Sequence, residues 1–273
     1  MKLKAFFRSI YSTVRLSCIA DDQLGKNASP AMVDVVISLT SIPSRLPTLH
    51  LTIKSLLNQA VSFEKILLWL HQDLKDNLPP ALQKLQGKRF EIHYCATTEP
   101  HRKLVETLKL YPDRIIVTCD DDVIYPDDWL SRLLESWRHT PDDIVAHRCR
   151  KIRIENGEVM PYRRWHSEPT GEGSPLAVAL GWGGVLFPPG SLDDRVLDRD
   201  AYMRLSPGAD DLWYKAMAML KGTAMRKSRY PYPAPIPIIG SQTVSLQKKN
   251  IGEDQNRVQL LALAKEYNLT FEE

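Results

Sequence analysis

With 273 residues, 43% of them hydrophobic and 25% charged, the chain can bury a sizeable core and has the balance of an ordinary globular protein. A formal net charge of +3 gives no reason to expect a nucleic-acid partner. The four cysteines (Cys18, Cys95, Cys119, Cys149) lack CxxC or other metal-ligand spacing and read as free thiols of a reducing, cytoplasmic setting.

Residues 1–20 mix Phe6, Phe7, Ile10, Tyr11, Val14 and Leu16 with Lys2, Lys4, Arg8 and Arg15. Arg8 and Arg15 interrupt any apolar run, which argues against a signal peptide or a bilayer span. The segment reads as a basic amphipathic helix, either docked on the core or in peripheral contact with an anionic membrane surface. A polar linker over 23–31 separates it from a single main domain, 32–273. Residues 33–39 form a first strand, closed by Thr40-Ser41-Ile42-Pro43. An amphipathic helix over 48–60 follows, with Leu49, Ile53, Leu56, Leu57 and Ala60 on one face. A second strand is predicted at 65–70, a short helix at 79–85 and a third strand at 90–94. The helix over 103–111 is stopped by Pro112, and residues 114–119 read as a buried strand of the parallel type. The helix over 127–137 completes a β-α-β-α alternation, which predicts an α/β fold with a mostly parallel central sheet and helices on both faces. Beyond it come a strand at 144–154, an irregular stretch to 191, a helix over 209–220 ended by Gly222, a Pro-rich segment at 230–237 and a last helix at 254–267.

Three patterns carry chemistry. Asp120-Asp121-Asp122 follows the strand at 114–119, and ligands of open α/β sheets bind outside the carboxyl ends of strands. Mutual repulsion would raise the pKa values of three crowded carboxylates unless a cation neutralised them, and a hard divalent ion suits oxygen ligands; a solvated acidic loop is the plainer alternative. Asp210-Asp211 opens a helix, where acids suit the dipole or, beside a substrate hydroxyl, serve as a general base. Gly181-Trp182-Gly183-Gly184 permits close backbone approach and offers Trp182 for stacking on a sugar, or else forms a turn beside a core strand. The basic and aromatic stretch over 148–166 fits a solvated strand face or the rim of an anionic-substrate site better than a nucleic-acid surface.

In this order the pieces resemble the GT-A-fold (Rossmann-like) glycosyltransferases, most closely bacterial family-two enzymes that build surface polysaccharide or lipo-oligosaccharide. The resemblance rests on Ile37 through Arg45, Lys65 through Leu70, Lys103-Leu104, Asp120 through Leu130, Gly183 through Leu186 and Ala209 through Trp213. It implies an inverting hexosyltransferase that takes a nucleoside-diphosphate sugar, UDP-sugar favoured, and a glycan or glycolipid acceptor. A nucleotide-sugar half at about 32–127 and an acceptor half at about 128–273 follow from it. Asp120 and Asp122 would hold Mn²⁺ or Mg²⁺ on the donor pyrophosphate, with Asp121 a substitute ligand. Thr40, Ser41, Arg45, Lys103, Asp120 and Asp121 would meet the nucleotide sugar, Trp182, Gly183 and Gly184 the acceptor or sugar. Asp211, beside Asp210, would be the base. The sequence departs from the family pattern in having no histidine after His166; either Lys248, Lys249 or Asn250 would face the pyrophosphate instead, or the metal would rely on the donor and water. A sugar nucleotidyltransferase, which usually carries a glycine-rich loop where Thr40 to Arg45 has none, and a non-catalytic glycan-binding or scaffold module are the alternatives.

Overall fold

The computed structural model describes residues 3–230, 235–238 and 252–272, so Lys248, Lys249 and Asn250 lie outside the described residues. Eight strands make the main sheet: β1 (Ser29–Thr40), β2 (Val61–His71), β3 (Phe90–Cys95), β4 (Ile115–Thr118), β5 (Ile144–Ala146), β6 (Gly173–Ser174), β7 (Val185–Phe187) and β8 (Met225–Lys227), in the order β6-β8-β5-β7-β4-β1-β2-β3. Helices α1 (Leu3–Cys18), α2 (Leu46–Leu57), α3 (Pro80–Gln83), α4 (Arg102–Leu110), α5 (Trp129–Arg138), α6 (Arg199–Leu205), α7 (Asp210–Lys221) and α8 (Gln255–Tyr267) connect and flank it.

The predicted alternation is the observed one. β3, β2, β1 and β4 run parallel, with Ile37 opposite Ile66 on one side and Val117 on the other. Val35, Ile37 and Leu39 meet α2 and α5 residues in one core cluster, whereas Ile116, Ile144 and Phe187 belong to another with α4, α7 and α8. Two separate clusters across one sheet are what the continuous apolar strands of a doubly covered sheet require.

β7 runs antiparallel between β4 and β5, with Val185 opposite Thr118. Its direction has a consequence for the site: the start of β7 lies at the same sheet edge as the end of β4. The strand expected over 144–154 breaks after Ala146, where His147 N–H donates to Gly184 O, and resumes as Cys149–Lys151 in a small sheet with Ala177–Ala179. Helix α6 goes beyond the predicted elements. The Asp198 carboxylate caps it by accepting from Ala201 N–H at 3.0 Å. At the far end of α7, Gly222 takes φ +81°, a left-handed cap that closes the helix where expected.

Candidate active site

Four segments converge at the edge where β1 and β4 end: Thr40 to Arg45 after β1, the start of α4, the acidic run after β4, and Gly181 to Gly184 ahead of β7. The amino end of α7 closes the cluster. Each segment arrives there because its strand or helix terminates at that edge, not because the residues are near in sequence.

The three aspartates have separate partners. Asp121 is buried, accepting from the Ser41 hydroxyl and pairing with Arg45 Nη1 at 2.5 Å. The same guanidinium reaches Asp122 at 3.0 Å through Nη2. Burial would lower the Arg45 pKa, but Asp121 and Asp122 raise it overall; burial in turn holds the Asp121 pKa above the usual carboxylate range despite Arg45 and Ser41. Asp120 points the other way along the edge. It pairs with Lys103 Nζ at 3.1 Å and is the open member of the run, its side chain 33% exposed against 4% for Asp121.

Lys103 joins this acidic run to α7. Its ammonium, 6% exposed, also lies 3.1 Å from Asp210 Oδ2. Burial alone would lower its pKa; Asp120, Asp210 and Asp211 together raise it well above the ordinary lysine value. A cation so placed sorts the carboxylate pair. Burial disfavours charge on Asp210, but Lys103 and His101 outweigh it and hold that pKa below the usual value. Asp211 is driven well above it, by burial first and then by the charge on Asp210. Within a carboxylate pair this is the arrangement that separates a permanent anion from a proton acceptor. Asp211 Oδ1 accepts from Gly181 N–H at 3.0 Å. The α7 N-cap residue, Ala209, supplies no side-chain cap, so the acids reach into the cluster while standing in the favourable first turn.

Gly181, expected only as part of the Gly-Trp-Gly-Gly run and not as a site residue, stands at the centre of the cluster. A Cβ at this position would stand 3.0 Å from Lys103 Nζ and 3.2 Å from Asp211 Oδ1, so a larger residue would force the charged atoms apart. The neighbouring glycines serve packing. Gly183 O accepts from Trp129 Nε1 at 2.8 Å, and a Cβ on Gly184 (φ +97°) would collide with the Trp129 ring. Trp182 is exposed, with the Arg148 guanidinium 5.5 Å from its ring centre. A cleft lined by Tyr162, Leu180, Asp210, Asp211 and Asn256 opens beside the cluster.

Arg102, adjacent to Lys103, also goes beyond the predicted residues. Its buried guanidinium donates to Thr40 Oγ1, Thr97 O and Ser41 O, the last at 2.8 Å. Thr40 Oγ1 donates in turn to Trp69 O at 2.9 Å. Thr40 and Ser41 are therefore held by the protein's own network at the end of β1. Only tertiary contacts reveal this; the sequence signal was the bare triplet His101-Arg102-Lys103 after β3.

Residues 43–192 match the family described as glycosyl transferase family 2. No curated protein matches the chain in sequence. The fold is that of the crystal structure of Staphylococcus aureus TarS 1–349 in complex with UDP, with 17% identity and a TM-score of 0.55 over 88% of this chain and 67% of that one. A second structure of TarS 1–349 gives 14% identity and a TM-score of 0.49, over 86% of this chain and 72% of that one. The 4-diphosphocytidyl-2C-methyl-D-erythritol synthase of Anaerococcus prevotii gives 14% and 0.46, over 82% of this chain and 95% of that one.

Proposed function

The chain belongs to glycosyl transferase family 2, and on that premise we propose that it moves a hexosyl group from a nucleoside-diphosphate sugar to a hydroxyl of a glycan or glycolipid, with inversion. The observation that carries this reading is the meeting of Asp120, Lys103, Asp210 and Asp211 around Gly181. On this reading Asp120 is the donor-side carboxylate and Asp211 the acceptor-side base, close enough in one cluster for direct displacement. UDP is the favoured nucleotide, since the TarS structure of the same fold is a UDP complex.

Asp211 takes the acceptor proton. Its raised proton affinity makes it, once ionised, a stronger general base than an ordinary carboxylate. Gly181 N–H fixes one of its oxygens and so sets the direction of the other. Asp210 stays ionised against Lys103, and that charge keeps Asp211 basic.

The residues fit a divalent cation as a two-carboxylate site. Asp120 and Asp122, two positions apart, carry the hard oxygens that suit Mn²⁺ or Mg²⁺, and Asp122 would share its carboxylate between the cation and Arg45 Nη2, while Asp121 is committed to Ser41 and Arg45. Among the described residues no group of three His, Cys, Asp or Glu side chains gathers at one point, so the remaining ligands fall to the pyrophosphate and water. A bound cation would supply charge neutralisation for the departing nucleoside diphosphate. Isothermal titration of UDP, GDP and CMP donors with and without Mn²⁺ tests the reading. UDP is expected to bind, more tightly with metal; absence of binding by every nucleotide with metal present would refute the transferase.

A further inference from the structure

Helix α1 carries Phe7, Ile10, Tyr11 and Val14, each between 38% and 69% exposed. The spacing i, i+3, i+4, i+7 sets them in one stripe along the helix. The opposite side does the docking: Ser9, fully buried, donates to Pro237 O at 2.7 Å, and Leu16 packs with Leu51, Ile124 and Ile238. The helix thus holds the body with a mixed face and turns its apolar stripe outward. At about 100° per residue, Arg8 and Arg15 fall along one flank of that stripe. Arg8 is exposed, and Arg15 pairs with Asp127 at 2.7 Å. The chain has no acidic residue before Asp21, against four basic ones (Lys2, Lys4, Arg8, Arg15). An apolar stripe with a basic flank, on a helix that carries no acid, complements an anionic bilayer surface, where the rings enter the headgroup region and the cations meet phosphates. Among the described residues no helix is long and apolar enough to cross a membrane.

We propose that α1 seats the protein on an anionic lipid bilayer with this stripe, and that the site below it serves an acceptor carried in that bilayer. The second half rests on the transferase reading. Its geometric basis is short: the Ile236–Pro237 segment held by Ser9 pairs with Val123–Ile124, and Ile238 N–H donates to Asp122 O at 3.0 Å. The acidic run is therefore one strand pairing away from the lipid-facing helix.

The test is co-sedimentation of the full chain with phosphatidylcholine vesicles, with and without phosphatidylglycerol, alongside UDP titration. The protein is expected to pellet with the anionic vesicles, to stay soluble with the neutral ones, and to be released by high salt. The Phe7→Ser/Tyr11→Ser double variant is expected to stay in the supernatant, and Arg8→Ala to bind about fivefold more weakly. Both variants keep wild-type UDP affinity if the fold is intact. UDP binding without vesicle binding overturns the membrane inference and leaves the transferase standing. Vesicle binding without nucleotide binding supports the membrane seat and overturns the lipid-borne acceptor. A dimer in analytical ultracentrifugation that the double variant abolishes, with no vesicle binding, overturns the inference in favour of self-association.

Discussion

Two cations, Lys103 buried and Arg45 partly so, grip the acidic run from opposite sides, and they do different work. Arg45 and its carboxylates, Asp121 and Asp122, tie the end of β1 to the end of β4 and close a structural joint within the parallel half of the sheet. Lys103 ties Asp120 to Asp210 on α7 and leaves Asp211 beside them with a raised proton affinity. One cation fixes the frame; the other divides two neighbouring carboxylates into an anion and a base. The same charge pairing serves packing in one place and, on the proposed function, chemistry in the other, and the deciding feature is whether the carboxylates have a neighbour with which to share a proton.

That contrast can be broken by removing either cation. Arg45→Met leaves Asp121 buried without its guanidinium, and stability is expected to fall by about 3–5 kcal/mol in urea unfolding. Lys103→Met should cost less, roughly 1–3 kcal/mol, because the Asp210–Asp211 pair can retain a proton in place of the ammonium. It should also cost turnover, since the charge balance at the base is lost. Equal stability losses with unchanged turnover in Lys103→Met would erase the distinction. A smaller effect sharpens it. Asp211 must be ionised to act, and the Asp210 charge raises its pKa, so Asp210→Asn is expected to move the acid limb of kcat/KM to lower pH. A limb that stays in place would detach Asp210 from the proton chemistry.

A further expected effect lies outside the site. Lys215 Nζ donates to Pro175 O at 2.6 Å and is 1% exposed; burial pushes its pKa down to about 8 from 10.5. Between those values the unfolded chain holds a proton that the folded chain has shed, so stability rises with pH across that window. Lys215→Met should flatten this slope in urea unfolding over the same range.

Periodicity located the parallel half well, because its strands are apolar runs separated by amphipathic helices. The acidic patterns set Asp120 apart from Asp210 and Asp211 along the chain, and Lys103 was named only through the family resemblance. Their meeting was hidden because it is made by tertiary contacts between α4, the end of β4 and α7; Gly181 reaches them because β7 runs antiparallel, and a three-residue apolar strand carries no signal of direction. The division of labour within Asp120-Asp121-Asp122 was hidden as well: it follows from which way each carboxylate leaves the strand end and which cation waits there. Gly183 and Gly184 suggested ligand approach; the structure adds a packing requirement at each, since a Cβ on Gly184 would meet the Trp129 ring and one on Gly183 the Arg148 side chain, both distant in sequence. The outward stripe of α1 was readable as amphipathic, yet which face docks was fixed only by Ser9 and Leu16.

The central claim is that nucleotide-sugar binding and proton removal reside on different carboxylates of one cluster. Measuring donor affinity and nucleotide release together for Asp211→Asn tests it most directly. The account predicts donor affinity within about twofold of wild type and turnover lower by roughly 10²–10⁴-fold. Unchanged turnover, or turnover and donor binding lost together in a folded variant, would contradict it.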